Sequence, residues 1–210
     1  MLSEAEFDSL RGQCLAERLS QLGRLTRVDG LGLDTVGLDP PRRGIEVDAR
    51  MNAAQGVWAI GDVTGIWPLT YVGKYQGRVA AANLLGRPSA ANYEAVPRVG
   101  FTDPQAASVG EAEGAVTATV SMAEVPRTST YTRAYADKPG FMTLVSDGER
   151  LTGAYALGPE AGEWLQQATL AIRARVPLNV MRDVIQPFPT FSEAFLSTLE
   201  ELGGKDKGGG

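Results

Sequence analysis

The ten residues at 56–65 constrain this chain more than any other segment. They read Gly-Val-Trp-Ala-Ile-Gly-Asp-Val-Thr-Gly, so an apolar stretch ends in Gly61 and Asp62. The stretch at 56–60 is typical of a strand buried on both faces. A carboxylate at the end of such a strand, beside a glycine that lets a ligand come close, suits the hydroxyl groups of a ribose or ribityl chain. The segment therefore suggests a flavin, and the simpler alternative is a tight turn after the strand, with Asp62 capping a helix.

The composition is that of an ordinary folded protein with an excess of acidic residues. The chain has 210 residues, of which 43% are hydrophobic and 21% charged, and its formal net charge is -5. Since no basic stripe is present to neutralise phosphates, we expect no nucleic-acid partner. No apolar run approaches the roughly 18 residues of a membrane span, and the acidic N-terminus lacks a signal-peptide core. We therefore expect a cytoplasmic protein with no membrane partner.

The chain contains one cysteine, Cys14, and no histidine. A single cysteine cannot form an intrachain disulfide, and a zinc site built from histidine and cysteine is not expected, so we predict no metal site. The lack of histidine removes the usual general base near neutral pH. Proton chemistry would fall to carboxylates, tyrosines, a lysine or a bound cofactor.

The first half of the chain is predicted to combine a leading helix, a loop and a flavin-like segment. Residues 1–22 contain a capping box and apolar residues at helical spacing, which predicts an amphipathic helix. Residues 24–44 are rich in Gly, Pro and Arg and predict a loop. A short strand is expected at 45–48. Residues 70–85 predict a helix whose glycines and alanines leave one face thin, and a domain boundary is expected at 86–96.

The second half of the chain predicts mixed α and β structure. Asp147-Gly148 is a strong turn signal between two strand-like segments, which predicts a hairpin. The glycine-rich tail at 203–210 is expected to be disordered. In chain order, we predict strands at 99–101, 115–125, 140–146 and 151–157, then helices at 160–175, at 178–185 and after Ser192.

Four ordered blocks resemble a known family, the pyridine nucleotide-disulfide oxidoreductases. Residues 60–65, followed by Leu69-Thr70 and Gln76-Gly77, resemble its second flavin motif. Phe101-Thr102-Asp103-Pro104 with Ser108-Val109-Gly110 resembles the opening strand of its dimerisation domain. The run Pro187-Phe188-Pro189-Thr190-Phe191-Ser192-Glu193 resembles its terminal His-Pro-Thr-x-x-Glu signature. Residues 23–48 match the stretch before the flavin motif. The subgroups most similar to this chain are dihydrolipoamide dehydrogenase and mercuric reductase.

The resemblance implies a fold that is α/β in its first part and α+β in its second. Residues 23–90 would be a remnant of an FAD-binding domain. Residues 97–202 would be an α+β dimerisation domain with an antiparallel sheet and flanking helices. The implied cofactor is FAD, and the implied assembly is a homodimer.

The resemblance also implies the roles of four cofactor-binding residues. In the family, the aspartate at the place of Asp62, which follows Gly61, accepts a hydrogen bond from the ribityl chain of FAD. Leu69 and Thr70 open the next helix, and the residue at the place of Thr70 offers its backbone N–H beneath the flavin pyrimidine ring. The positive end of that helix would face the ring edge where reduced flavin gathers negative charge. A cap on its own helix is the alternative role for Thr70.

The terminal loop departs from the family at its proton shuttle. The family has a histidine where this chain has Phe188, and the glutamate that orients the histidine is at Glu193. Glu193 is therefore the catalytic candidate, and a first-turn helix cap is its alternative role. Because phenylalanine cannot carry a proton, dithiol chemistry is not supported. Mercuric reductases also lack histidine here, so a metal-ion or quinone-like acceptor stays open. Phe188, Phe191 and Phe195 are expected to form an apolar interface anchor.

Two functions follow from the sequence. The first is the C-terminal half of an FAD-dependent NAD(P)H oxidoreductase. Neither the first dinucleotide motif, GxGxxG, nor the NAD(P) motif nor a redox-active cysteine pair is among these residues. The NAD(P) site is therefore absent from this chain, and the missing parts would come from a separate FAD/NAD-binding polypeptide or an upstream segment. The alternative is a non-catalytic homodimerisation module left by truncation of such an enzyme.

Overall fold

The computed structural model of the chain describes residues 26–39, 44–125 and 140–206. The helix predicted at residues 1–22, which carries Cys14, lies outside the described residues. The described chain divides into two compact units between Tyr93 and Glu94. The described residues up to Tyr93 are called the first unit, and those from Glu94 onward are called the second unit.

The first unit consists of short elements around one long helix. Leu33–Val36 and Gly61–Thr64 each form a 3-10 turn. Strands β1 (Asn52–Ala54) and β2 (Val57–Trp58) pair as an antiparallel hairpin. Helix α1 spans Thr70–Leu84, which confirms the helix predicted from the sequence.

Two strand predictions in the first unit are wrong. Residues 45–48 form no strand because the chain turns at Asp48, whose Oδ1 accepts the N–H groups of Arg50 at 2.8 Å and Asn52 at 2.9 Å. The strand predicted at 56–60 shrinks to Val57–Trp58, and both of its residues are only half-buried. An apolar segment becomes a long strand only beside neighbours that offer hydrogen bonds, and in the described chain its one pairing partner is the short β1.

Helix α1 has a buried face and a glycine-bearing face. A Cβ on Gly73 would lie 3.2 Å from the Cα of Gly61, and one on Gly77 would lie 3.5 Å from Cδ1 of Ile60. The helix face with small side chains, which the sequence predicted, therefore packs against residues 60–61 of the same chain. The buried face repeats at the spacing of a single helix side and consists of Val72, Gln76, Val79 and Ala80.

The second unit contains a five-stranded sheet in which every neighbouring pair is antiparallel. The strands lie in the order β3-β4-β7-β6-β5. The β6–β7 hairpin encloses residues 147–148, as the turn signal predicted, and the α+β class predicted for this domain is confirmed. The strands are β3 (Arg98–Gly100), β4 (Gln105–Gly110), β5 (Val116–Ser121), β6 (Phe141–Ser146) and β7 (Leu151–Gly158).

One carboxylate holds the turn between β6 and β7. Asp147 Oδ1 accepts the backbone N–H groups of Arg150 and Glu149, each at 2.8 Å. These hydrogen bonds hold the pKa of Asp147 below its ordinary value of 3.8, because they favour the charged form. The turn is thus stabilised by atoms within four consecutive residues, which is why the local sequence alone could predict it.

Four helices follow the sheet in the chain. Helix α5 (Glu193–Asp206) packs on β5 and β6, whereas α3 (Gln166–Ala174) packs on β7 and β4. The single helix predicted at 160–175 is interrupted at Leu165, whose N–H nevertheless donates to the Ala161 carbonyl at 3.1 Å. The four are α2 (Ala161–Trp164), α3 (Gln166–Ala174), α4 (Leu178–Arg182) and α5 (Glu193–Asp206).

The three phenylalanines expected to form one apolar anchor occupy two environments. Phe195 is fully buried in the main core of the second unit. Phe191 is buried as well, and its ring stacks on Trp164 with the ring centroids 6.3 Å apart. Phe188 is 70% exposed. Two of these side chains therefore stabilise the fold, and only Phe188 is available at the surface.

The disordered tail predicted at 203–210 is wrong over its first residues, because helix α5 continues to Asp206. Leu202, which precedes Gly203 and Gly204, is fully buried and packs in the core of the second unit. Arg182 Nε donates to the Leu199 carbonyl at 3.2 Å, and its guanidinium lies so close to Gly203 that a Cβ there would be 2.9 Å away. Tertiary contacts thus override the linker-like composition. Residues 207–210 lie outside the described residues.

Candidate functional site

Gly61 begins a 3-10 turn with backbone dihedrals that favour glycine. Its φ is +77°, in the left-handed region, and no atom lies within 4 Å of the position a Cβ would take. Its N–H donates to Gln76 Oε1 at 2.6 Å, and its carbonyl accepts the Thr64 hydroxyl at 2.8 Å. Both polar backbone groups are thus occupied within the chain. What Gly61 can offer a ligand is close approach to a bare backbone.

Asp62 follows in the first position after Gly61, with its side chain exposed. Its carbonyl accepts the N–H of Gly65 at 3.0 Å, which closes the turn. The tight turn of the predicted alternative is observed, whereas a helix cap by Asp62 is not observed at α1, where the capping position is held by Leu69. An exposed carboxylate on a closed turn is an acceptor suited to hydroxyl groups.

Helix α1 begins beside this turn, at the other two predicted residues. Leu69 is extended, and its carbonyl accepts the N–H groups of Val72 at 2.9 Å and Gly73 at 3.0 Å. No side-chain hydrogen bond caps the helix, so the alternative role of Thr70 as a cap is not observed. Thr70 is the exposed first helical residue. The first backbone N–H groups of a helix have no partner inside it and carry the positive end of its dipole.

The structure brings Gly61, Asp62, Leu69 and Thr70 together in the first unit. The turn and α1 pack directly, with Gly73 against Gly61 and the Gln76 side chain bonded to it. The fifth predicted residue, Glu193, lies in the second unit as the first residue of α5, half-buried, with its N–H donating to the Thr190 carbonyl at 3.2 Å. Glu193 is thus an acidic residue in the first turn of α5, and its role as a helix cap stays a prediction.

The residue types of the turn and of the α1 N-terminus fit one end of FAD. A carboxylate can accept hydrogen bonds from ribityl hydroxyls, and a helix N-terminus favours the negative charge of a reduced ring edge. Open space in front of Gly61 leaves room for a ligand to approach. The sequence contains no GxGxxG loop for the pyrophosphate. The fit therefore extends to the ribityl and ring side of FAD and stops before its ADP half.

Gln76 is the site residue to which sequence reasoning gave no role. Gln76 belongs to the block that resembles the second flavin motif. Its side chain is fully buried and accepts a hydrogen bond from the Gly61 N–H of the turn. One signal could have found it, because Gln76 is the only polar residue on the buried face that it shares with Val72, Val79 and Ala80. A polar side chain on such a face must find buried partners.

The described ranges contain neither a metal-binding cluster nor a membrane-spanning helix. No cluster of three or more His, Cys, Asp or Glu side chains in those ranges could hold a metal ion. Within the same ranges, none of the helices combines the length and apolar character needed to cross a membrane.

Comparison with known proteins identifies the family. The profile of the pyridine nucleotide-disulphide oxidoreductase dimerisation domain matches residues 96–199. Dihydrolipoyl dehydrogenase from Thermus scotoductus is 34% identical over 210 residues, which cover 96% of this chain and 45% of that protein. This chain belongs to the pyridine nucleotide-disulphide oxidoreductases. Mercuric reductase from Shigella flexneri is 35% identical over 203 residues, covering 90% of this chain and 35% of that protein.

Solved structures share the fold of this chain. The flavoprotein disulfide reductase RclA from Escherichia coli, in its Cu(II) complex, superposes with a TM-score of 0.73 at 24% identity, covering 86% of this chain and 43% of RclA. LpdA from Mycobacterium tuberculosis superposes with a TM-score of 0.68 at 25% identity, covering 86% of this chain and 41% of LpdA. These superpositions confirm the dimerisation fold inferred from the sequence. The family resemblance is confirmed by the profile match and the related sequences.

This pyridine nucleotide-disulphide oxidoreductase chain spans less than half the length of its relatives. It covers 45% of the Thermus protein, 35% of the Shigella protein and 40% of dihydrolipoyl dehydrogenase from Chlamydia trachomatis. The family comprises FAD-dependent oxidoreductases that carry a dimerisation domain. Membership therefore supports an FAD cofactor and a homodimeric assembly as properties of the family as a whole.

Proposed function

We propose that this chain is the C-terminal half of an FAD-dependent NAD(P)H oxidoreductase similar to dihydrolipoyl dehydrogenase and mercuric reductase. In this proposal the first unit contributes part of the FAD site, and the second unit contributes the homodimer interface. The observation that carries the proposal is the Gly61–Thr64 turn bonded through Gln76 to helix α1, in the same chain as a matching dimerisation domain.

The chain's own residues would bind and orient the cofactor. Asp62 would accept hydrogen bonds from the ribityl hydroxyls, and Gly61 would let the cofactor come close to the backbone. Leu69 and Thr70 would place the first N–H groups of α1 at the ring edge, where the positive end of the helix favours an anion by about 0.3–1 kcal/mol, and by more when buried. FAD, when bound, supplies electron transfer between a nicotinamide and the acceptor.

The terminal loop supports an acceptor that needs no proton shuttle at this position. Phe188 is exposed and carries no titratable group, and Glu193 is the first residue of α5. Glu193 therefore has no imidazole to orient. We propose a metal-ion or quinone-like acceptor as substrate, in place of the dithiol expected beside a histidine.

A separate FAD/NAD-binding polypeptide, or further sequence of the same protein, would complete the site. Six large apolar side chains of the first unit are exposed, which is consistent with a surface that another polypeptide segment covers. They are Leu31, Val36, Ile60, Trp67, Leu84 and Leu85.

The second candidate function is a non-catalytic homodimerisation module. One observation favours it, since the extensive hydrophobic core of the described chain lies in the second unit. The first unit holds two small clusters instead, one around Val28, Ile45 and Ala59 and one around Met51, Val79 and Ala80. A purified chain that dimerises and stays colourless with added FAD would favour this candidate.

Replacing Asp62 by alanine tests the FAD proposal directly. We expect Asp62→Ala to weaken FAD binding by about 10-fold or more, because a hydrogen bond to a charged group contributes about 1.5–3 kcal/mol. The measurement is an NMR titration of the chain with FAD, which also suits weak affinities.

Asp34→Ala is the matched control for this substitution. Asp34 is an exposed acidic residue in the first turn of the other 3-10 turn, Leu33–Val36, so its loss removes the same charge from the same kind of turn. We expect the control to leave the FAD affinity unchanged. Equal affinity of the Asp62→Ala chain and the parent chain would contradict the assigned role of Asp62.

A further inference from the structure

We infer that Gln76 is a positioning residue, a buried amide that fixes the Gly61 peptide and through it the carboxylate of Asp62. The inference rests on the proposed function, because the residue it positions is the proposed ribityl contact. It assigns to helix α1 a second task beyond presenting its N-terminus. The helix also holds the cofactor-binding turn in place.

The Gln76 carboxamide joins three segments of the first unit. Its Oε1 accepts the Gly61 N–H at 2.6 Å, and its Nε2 donates to the Tyr93 hydroxyl at 3.0 Å and to the Ile66 carbonyl at 3.5 Å. The side chain itself is fully buried. One amide thus fixes the start of the turn, the loop before α1 and the segment after α1.

The surroundings of Gln76 select one orientation of its amide. The Tyr93 hydroxyl donates to Met51 Sδ at 3.7 Å, so its oxygen is available to accept from Nε2. The Tyr93 ring is held edge-on against Tyr75, with the ring centroids 6.2 Å apart. With Nε2 directed at Tyr93, Oε1 is left for the Gly61 N–H. Met51 is 1% exposed, so the chain of contacts ends in a buried residue.

The bond to Gly61 acts where the backbone is most adaptable. Gly61 has a left-handed φ of +77°, and glycine has more conformations open to it than any other residue. Without an acceptor for the Gly61 N–H, the peptide between Ile60 and Gly61 could rotate, and the change in the backbone of Gly61 would redirect the carboxylate of Asp62. A binding group must be held within about 0.5 Å of its productive position, so such a rotation would weaken a ribityl contact.

Replacing Gln76 by methionine keeps the length of the side chain and removes both hydrogen-bonding groups. We expect amide hydrogen exchange at Gly61, measured by NMR, to accelerate about 10-fold or more, since an N–H group loses its only acceptor. Tyr93→Phe is the milder variant, and it should accelerate the same amide by a smaller factor. It serves as the test if Gln76→Met does not fold.

Asn83→Leu is the matched control because Asn83 is the bridging amide at the other end of α1. Asn83 Nδ2 donates to the carbonyls of Ser89 at 2.7 Å and Val79 at 2.9 Å. Its loss should lower the melting temperature of the chain. It should leave both Gly61 exchange and FAD affinity as they are in the parent chain.

A double-mutant cycle with Asp62→Ala distinguishes positioning from general destabilisation. If Gln76 acts through Asp62, Gln76→Met should weaken FAD binding by about 10-fold in the parent chain and by less than about 2-fold in the Asp62→Ala chain. Unchanged Gly61 exchange, or equal factors in both backgrounds, would overturn the inference while leaving the proposed function standing. A parent chain that binds no FAD would overturn the proposed function and this inference with it.

Discussion

Gly153→Ala should lower the free energy of unfolding of the second unit by about 3 kcal/mol or more, because the added methyl group overlaps backbone rather than a side chain. Gly153 lies in β7 opposite Gly110 of β4, and its Cβ would overlap the carbonyl oxygen of Glu111. The Glu111 N–H donates to the Thr152 carbonyl at 3.0 Å, so this stretch of chain cannot retreat without losing a hydrogen bond. Urea denaturation followed by circular dichroism measures the change.

Gly204→Ala is the control for the glycine substitution. Gly204 lies in helix α5, and no atom lies within 4 Å of the position its Cβ would take. Because Gly204 lies in the last turn of α5 and its Cβ would meet no neighbour, alanine should change the free energy of unfolding by no more than about 0.5 kcal/mol. A Gly153→Ala chain with the midpoint of the parent would show that β4 and β7 are not paired as described.

Phe195→Ala should destabilise the second unit by about 3–5 kcal/mol, the usual cost of removing a buried aromatic ring. Phe195 is fully buried on α5, within the core that also contains Leu144 of β6 and Leu165. The cavity left by the ring cannot collapse easily, because the sheet and the helices both border it. Thermal and urea unfolding measure the loss.

Phe188→Ala removes the same side chain from the surface and serves as the control. With 70% of its area exposed, Phe188 should contribute within about 0.5 kcal/mol to folding. Equal destabilisation by the two substitutions would contradict the assignment of Phe195 to the core and of Phe188 to the surface. A role of Phe188 in the homodimer interface stays a prediction.

The features predicted correctly from the sequence are the ones that neighbouring residues determine. The β6–β7 hairpin depends on Asp147 and on two N–H groups within three residues of it. Helix α1 has helical periodicity, and Gly86, with a φ of +71°, follows its end. The start of helix α1 could be predicted as well, because the residues around Thr70 lie close together in the sequence. Local chemistry determines each of these, so a single sequence suffices.

The features predicted wrongly depend on contacts with distant residues. The segment at 45–48 has a strand-like alternation, yet no strand lies beside it in the described chain. Gly203 and Gly204 have the composition of a linker, but Leu202 and Arg182 secure the helix around them. Composition cannot reveal such partners.

The candidate site shows the same limit at a finer scale. The sequence placed Gly61, Asp62, Leu69 and Thr70 correctly in one loop and helix, but gave no role to Gln76, which bonds to Gly61 from 15 residues away. The sequence also predicted Gly61 as a cofactor-binding residue without saying which of its atoms would bind. In the structure its N–H and its carbonyl are already hydrogen-bonded to Gln76 and Thr64. The hydrogen bond from Gly61 to Gln76 depends on helix α1 folding back onto the turn.

The most direct test of the account compares how this chain binds the two halves of FAD. Because the chain offers groups for the ribityl and ring side but no pyrophosphate loop, riboflavin and FAD should bind with dissociation constants within about threefold of each other, a difference of about 0.6 kcal/mol. ADP-ribose should not displace either ligand. FAD binding about 100-fold tighter than riboflavin, displacement by ADP-ribose, or no flavin binding at all would contradict the account.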